Sequence, residues 1–357
     1  MKNLLKCLFA FFLSISLVSL FSCNDIIFSD IRDEIELDDA TISGAVLSIV
    51  RYKDDIYVPN GVIYHQSKNN TSRDWEKLSG ELPSGKIYDL AADKDNLYAC
   101  ALTFEDDDDG YNVPDVRSLW KYNGSTWTKL LEVDYSSSYF FVFGTNTLQK
   151  ANRHAFLRYG SNVYELSDSI SKNSTSTDGW TALTNKYKIA LGASISDVKS
   201  ATCLGRDVIL SPYRASTSNE TETEDADYVY TASGDVIYYL IDGTDWQFVD
   251  TDSEDILAMG FTQDYMLLGT DEGIQHVLIS GKIPGASTQD FSNNADSALS
   301  SYYVVESLLV VDPSKTEAQT AIFASIEFDG SSSSTSAVLD NVGLWGYYEG
   351  KGEWNRQ

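Results

Sequence analysis

The chain has 357 residues, 43% of them apolar, enough to bury the core of one large closed β fold or of two ordinary domains. Its formal charge is -27, with 53 acidic against 26 basic residues. So negative a surface repels phosphate backbones and anionic headgroups, which excludes nucleic-acid binding and membrane attachment through a basic patch. Cationic partners and divalent ions stay open, although keeping a Tyr-rich β surface soluble already accounts for much of the acidity.

In chain order, Lys2 and Lys6 precede an apolar run, Leu8 to Leu20, that has the length of a secretory signal and is too short to span a bilayer. Cys23 follows in Leu20-Phe21-Ser22-Cys23-Asn24. This segment resembles the signal of bacterial lipoproteins, spirochaetal ones in particular, which type II signal peptidase cuts before a lipid-modified cysteine; Phe21 departs from the small residue usual there. The resemblance implies that residues 1–22 are removed and that Cys23 carries a diacylglyceryl thioether and an amide-linked acyl chain of the palmitate kind. Two or more chains are what stable anchoring requires. The expected place is the bacterial cell envelope, facing the periplasm or the cell surface. Cleavage would remove two lysines and no acid, taking the charge from -27 to -29. Residues 23–40 then read as an acidic tether with Asp30, Asp33, Glu34, Glu36, Asp38 and Asp39.

From residue 41 onward a local phrase recurs: an apolar strand, a Gly, Asn or Asp turn, then Trp. The phrase ends at Trp75, Trp127, Trp180, Trp246 and Trp354, with spacings of 52, 53, 66 and 108 residues. The last gap is twice the period, so one repeat lacks its tryptophan, and Phe291 in Thr288-Gln289-Asp290-Phe291 is the expected substitute. Further strand-like runs precede each phrase, such as Ile256 to Phe261 and Tyr265 to Thr270. Four short strands per unit, without sustained helical periodicity, predict an all-β chain, a six-bladed β-propeller spanning 41–357, with a seven-bladed propeller as the alternative. The phrases resemble kelch, BNR and two-component-regulator propeller repeats. Each Trp is expected to pack one blade on the next, and Ile26 to Leu37 to add a strand to a short last blade. Cys100 and Cys203, in apolar runs two blades apart, read as buried free thiols, too distant for a disulfide.

Lettering the strands of each blade A to D outward from the axis, the B–C loops read as short in the first, third and fifth blades. They read as long in the second (Glu105 to Val116), fourth (Arg214 to Gly234) and sixth (Asp329 to Asn341), so that three long loops ring one face. The second carries Glu105, Asp106, Asp107, Asp108, Asp109 and Asp115; the fourth carries Glu220, Glu222, Glu224, Asp225 and Asp227. These are the candidate partner-binding residues. The Glu105 to Gly110 run invites a Ca2+ reading, but it starts on Glu and has Val116 where an EF-hand needs its bidentate Glu, so a cofactor is not expected and a looser Ca2+ site is the minor alternative. No catalytic residue can be picked out. His65, His154 and His276 fall in different repeats, which gives no spacing for zinc or a Ser-His-Asp relay. Thr177-Asp178-Gly179-Trp180 is partly similar to a sialidase Asp box, yet the boxes are incomplete, arginines for that family's triad are few and its Arg-Ile-Pro motif is missing. The reading is a binding protein for a protein or extracellular-matrix ligand, an adhesin or envelope-complex subunit; a glycan-active hydrolase or lyase is the alternative.

Overall fold

The computed structural model describes residues 40–67, 74–107, 109–137, 140–144, 154–160, 162–167, 176–178, 180–181, 211–212, 229–240, 247–280, 283–291, 303–312, 315–328, 342–348 and 354–357. Residues 1–23, Ile26 to Leu37, Asp108, Cys203, Glu220, Glu222, Glu224, Asp225 and Asp227 lie outside them. Thr41–Gln357 forms one compact unit.

That unit is an all-β propeller. Its described strands pair only with sequence neighbours, in six antiparallel meanders that follow one another along the chain. The first holds β1 (Val50–Tyr52), β2 (Asp55–Asn60), β3 (Val62–Ser67) and β4 (Glu76–Lys77). The second holds β5 (Lys86–Ala92), β6 (Leu97–Asp106), β7 (Asn112–Tyr122) and β8 (Trp127–Asp134). Three described strands form the third, β9 (Phe140–Gly144), β10 (Ala155–Tyr159) and β11 (Asn162–Leu166). The fourth holds β12 (Ser211–Pro212), β13 (Val229–Ser233), β14 (Val236–Leu240) and β15 (Gln247–Asp250). The fifth is β16 (Ile256–Phe261), β17 (Tyr265–Thr270), β18 (Gly273–Ser280) and β19 (Ile283–Asp290). The sixth is β20 (Tyr303–Val310), β21 (Ile322–Phe328), β22 (Gly343–Tyr347) and β23 (Trp354–Arg356).

Sheets covered on both faces need apolar residues on both sides of a strand, which is why Leu97 to Ala101 are buried without alternation. Five seams are filled in this way. Tyr52, Tyr57 and Ile63 of the first sheet meet Ile87, Leu90 and Leu97 of the second, and Tyr98, Leu119 and Leu131 of the second meet Phe140 and Leu157 of the third. Tyr230 and Ile237 pack with Met259, Phe261 and Leu268; Leu267 and Phe291 pack with Val305, Trp345 and Trp354. The ring is joined where Ile56, Val58 and Trp75 of the first sheet meet Leu309, Phe323 and Leu344 of the sixth. First strands of neighbouring sheets touch, β5 with β9 and β16 with β20, as strands next to a propeller axis must. Cys100 is a free, fully buried thiol.

The sixth sheet builds its four described strands from 303–356, and the expected strand from Ile26 to Leu37 lies outside the described residues. The described bonds that tie the front of the chain to the sixth sheet come later: Ile42 N donates to Gln357 O (3.1 Å), and Ser43 pairs with Gly343. Phe291 does not stand where a tryptophan would. It follows the fourth strand of its sheet, and the start of that strand is Ile283, 49% exposed. Phe291 is instead the surface on which the next tryptophan rests: Trp354 meets its ring edge-on at 6.1 Å. Trp75 repeats the arrangement, edge-on to Phe323 at 5.8 Å and donating to Gln357 Oε1 (3.3 Å) just past β23. At these two seams, then, a tryptophan at the start of one outer strand packs on the end of the preceding one.

Another change concerns the fourth sheet. Its pairing, Pro212 with Val229, makes the long connection the one from A to B, while B and C are joined by the short turn at Gly234 and Asp235. The stretch carrying Glu220 to Asp227 therefore joins the first and second strands of this sheet, not the second and third. The loop read as long in the second sheet is a hairpin: β6 and β7 stay paired through Phe104–Pro114, Glu105–Val113 and Asp106–Asn112, and only residues 107–111 turn.

Candidate functional site: the two rims of the propeller

The B–C rim carries the β6–β7 arm. Its tip is held by Asp107, whose Oδ1 accepts from the N–H groups of Asp109 (3.0 Å) and Tyr111 (2.7 Å) while its own N–H donates to Tyr111 O (2.8 Å). An aspartate used in this way builds a turn; it is not a spare ligand. Glu105, Asp106 and Asp109 are left exposed along the arm with Tyr111, which is 70% exposed. Asp115 is half-buried, and its carbonyl accepts from Tyr135 N (2.7 Å). The arm's base is pinned by Arg117, which is buried, lies 4.1 Å from the centre of the Tyr135 ring and donates to Tyr135 O (2.9 Å).

A second acidic group on this rim escaped the sequence reading. Asp235 occupies the B–C turn of the fourth sheet, Asp271 and Glu272 that of the fifth, and Glu254 and Asp255 precede β16. The chain brings them together through backbone bonds from Ile256 N to Gly234 O (3.0 Å) and from Asp271 N to Asp255 O (3.2 Å). The negative charge of Glu272, with lesser contributions from burial, Asp271, Asp255 and Asp235, holds the Glu254 carboxyl above the usual carboxylate range. Asp271 Oδ1 is buried without a hydrogen-bond partner. Nearby, Asp252 Oδ1 accepts from Thr288 N (2.6 Å) and Oγ1 (2.7 Å), which lowers its pKa and clamps the fourth sheet to the fifth. These residues are spread over two repeats; the available signal was that Ser253-Glu254-Asp255 and Asp271-Glu272 flank the first two strands of a single one.

The A–B rim differs. Its turns carry Lys53, Lys94 and Lys315, whereas the described B–C turns carry no lysine or arginine. Its best-built turn centres on buried Asp93, which accepts from Asp95 N (2.7 Å), Asn96 N (2.6 Å) and Tyr98 Oη (2.7 Å). The rings of Tyr52 and Tyr57 stand edge-on at 5.7 Å behind it, and burial pushes the Tyr57 hydroxyl up to about 12.

The histidines sit in three sheets. His65 lies 3.5 Å from Asp55, His154 pairs with Glu165 (2.7 Å), and His276 stacks on Tyr265. Among the described residues no group of three or more His, Cys, Asp or Glu side chains is arranged to hold a metal ion.

The sequence matches the family model of the TP013X lipoprotein family over residues 2–106. That stretch takes in the first sheet, ends with β6 and supports a lipid-anchored lipoprotein. No curated protein matches the chain. Among solved structures, YCF48 from Cyanidioschyzon merolae is similar over 90% of this chain and 88% of its own, at 12% identity and a TM-score of 0.42. The computationally designed Ika8 protein is similar over 87% and 98%, at 10% identity and 0.42. The strand pairing, not these likenesses, carries the fold.

Proposed function

We propose that this lipoprotein is anchored through Cys23 and that its propeller is a binding module for a protein or extracellular-matrix ligand, as an adhesin or as a subunit of an envelope complex. The observation that carries this reading is the B–C rim, where carboxylates crowd with no neutralising cation in the described turns and hold Glu254 above its ordinary pKa. A cationic surface laid on that rim would relieve the repulsion, and loops on a rigid β scaffold are where such contacts are made. The exposed acidic arm gives the same rim reach beyond its sheet. The Glu220 to Asp227 stretch, which joins the first and second strands of the fourth sheet in sequence, is the second acidic candidate.

The test treats the surfaces separately. One variant neutralises Glu105, Asp106, Asp109 and Glu254; the other neutralises Glu220, Glu222, Glu224, Asp225 and Asp227. Asp107 is left intact because it builds its turn. Loss of partner capture from cell-surface or envelope extracts, at an unchanged melting temperature, is expected from at least one of them. Full capture by both would refute binding through either acidic surface.

A further inference from the structure

Four of the five described seams pack a tryptophan: Trp127 between the first and second sheets, Trp180 between the second and third, Trp354 between the fifth and sixth, and Trp75 between the sixth and first. The described seam between the fourth and fifth sheets packs none. The register shows what stands in its place. Ala92, Leu97, Tyr122 and Trp127 form a row of directly paired residues across the second sheet, and Val310, Ile322, Tyr347 and Trp354 form the same row across the sixth. Each row starts at the last residue of the first strand. In the fifth sheet that row is Phe261, Met266, Val277 and Thr288. Where Trp354 lays its ring against Phe291 of the preceding sheet, Thr288 is met by Asp252, two residues past the end of β15. Asp252 Oδ1 accepts from Thr288 N (2.6 Å) and Thr288 Oγ1 (2.7 Å), and Asp252 N donates to Ala286 O (3.2 Å).

The two kinds of contact differ in strength. A packed aromatic ring withdraws about 150–250 Å² from water, whereas hydrogen bonds to an exposed carboxylate exchange for bonds to water at little net cost. Asp252 is exposed. The B–C end of the same seam adds like charges on both sides, Asp235 on the fourth sheet and Glu254, Asp255, Asp271 and Glu272 on the fifth. We infer that the propeller opens first at this seam: the clamp of Asp252 on Thr288 and Ala286 is a latch, and its release parts the fourth sheet from the fifth while the four tryptophan-bearing seams stay closed. What the latch guards is apolar. Tyr230, Ile237 and Tyr239 of the fourth sheet face Met259, Phe261 and Met266 of the fifth, and all six are buried. Opening presents them beside the acidic B–C rim. Met259 and Met266 are the chain's only methionines apart from Met1, so this seam carries its own reporters.

The experiment follows two reactions of the full chain at denaturant concentrations below its unfolding transition. Hydrogen peroxide converts an exposed methionine to its sulfoxide, and iodoacetamide alkylates an exposed thiol. Peptide mass spectrometry reads Met259, Met266 and Cys100 separately, and each rate is divided by that of the unfolded chain. Cys100, fully buried between the second and third sheets, reports a tryptophan-bearing seam. Both methionines should react at least tenfold faster than global unfolding permits, with Cys100 reacting only as the whole chain unfolds. Asp252→Ala should speed the methionines several-fold and leave Cys100 at its parent rate. Thr288→Val, which keeps the N–H and loses the hydroxyl, should act in the same direction to a smaller extent. Methionines that react in step with Cys100, in the parent and in Asp252→Ala alike, overturn the opening. Methionines that outpace Cys100 to the same degree with and without Asp252→Ala overturn the latch, because the seam then opens whether or not the clamp is made.

Discussion

At the scale of the residue, the sharpest dependence is on Gln357. Its Oε1 accepts from Trp75 Nε1 and from Tyr348 Oη, its Nε2 donates to Asn355 O, and it is 1% exposed. Gln357→Ala orphans two buried donors, each at a cost of about 1–3 kcal/mol. Chemical denaturation should show that loss, and Tyr348→Phe in the same background should recover part of it by removing one orphan. Glu254 acts in the opposite sense. Its folded pKa is raised, so its ionised form is disfavoured by the fold; the penalty is present above the folded value and gone below the unfolded one. Glu254→Gln should raise the melting temperature at pH 7, with the gain fading as the pH falls below about 4, where an ordinary glutamate is already protonated. Asp252 has a lowered pKa and gives the reverse: stability present at neutral pH and lost as acid protonates it. A gain from Glu254→Gln that is independent of pH would remove repulsion as its cause.

At the scale of the element, seam width decides what a strand tolerates. β17 lies so close to β20 that a Cβ on Gly269 would stand 2.7 Å from Val305 Cγ1 and 2.9 Å from its carbonyl oxygen. The carbonyl cannot rotate away as a side chain can. Gly269→Ala should therefore cost about 1–3 kcal/mol by overpacking, read as a lower denaturation midpoint at unchanged m-value. The elements themselves were largely legible in the sequence, because double-sided burial writes apolar runs and the C–D turns carry Gly, Asn or Asp before tryptophan. Two things were not legible. In the fourth sheet only Ser211 and Pro212 pair as the first strand, and Val229 to Ser233, rich in Tyr and Thr, looked like part of a loop; the acidic stretch was therefore read as joining the second and third strands, where it joins the first and second. Phe291 stood at the expected spacing from its neighbours, but spacing does not say which end of a strand an aromatic occupies. The carboxylates around Glu254 left only a partial signal, Ser253-Glu254-Asp255 and Asp271-Glu272 flanking two strands, because their proximity is made by backbone bonds between turns and not by any local motif.

At the scale of the whole molecule, a ring of sheets is only as stable as the seam that closes it, and here that seam is held from both sides by the segment after Thr41. Ile42 is fully buried among Ile56, Trp75, Phe323 and Tyr348, and its N–H, the Ser43 bridge and the Val46 N–H all bond to the sixth sheet. None of these bonds involves residues 24–38. Removing that stretch should leave the melting temperature unchanged, because every described closing contact survives. Extending the deletion through Val46 should lower it markedly, since two buried apolar side chains and three backbone partners go together. Complete burial of one such side chain is worth about 1.5–3 kcal/mol. Ile42→Asp, which keeps the chain length and places a charge in the seam, separates loss of packing from loss of chain and should be at least as damaging as the longer deletion. A large loss from the 24–38 deletion alone would mean that the seam extends further toward Cys23 than Thr41.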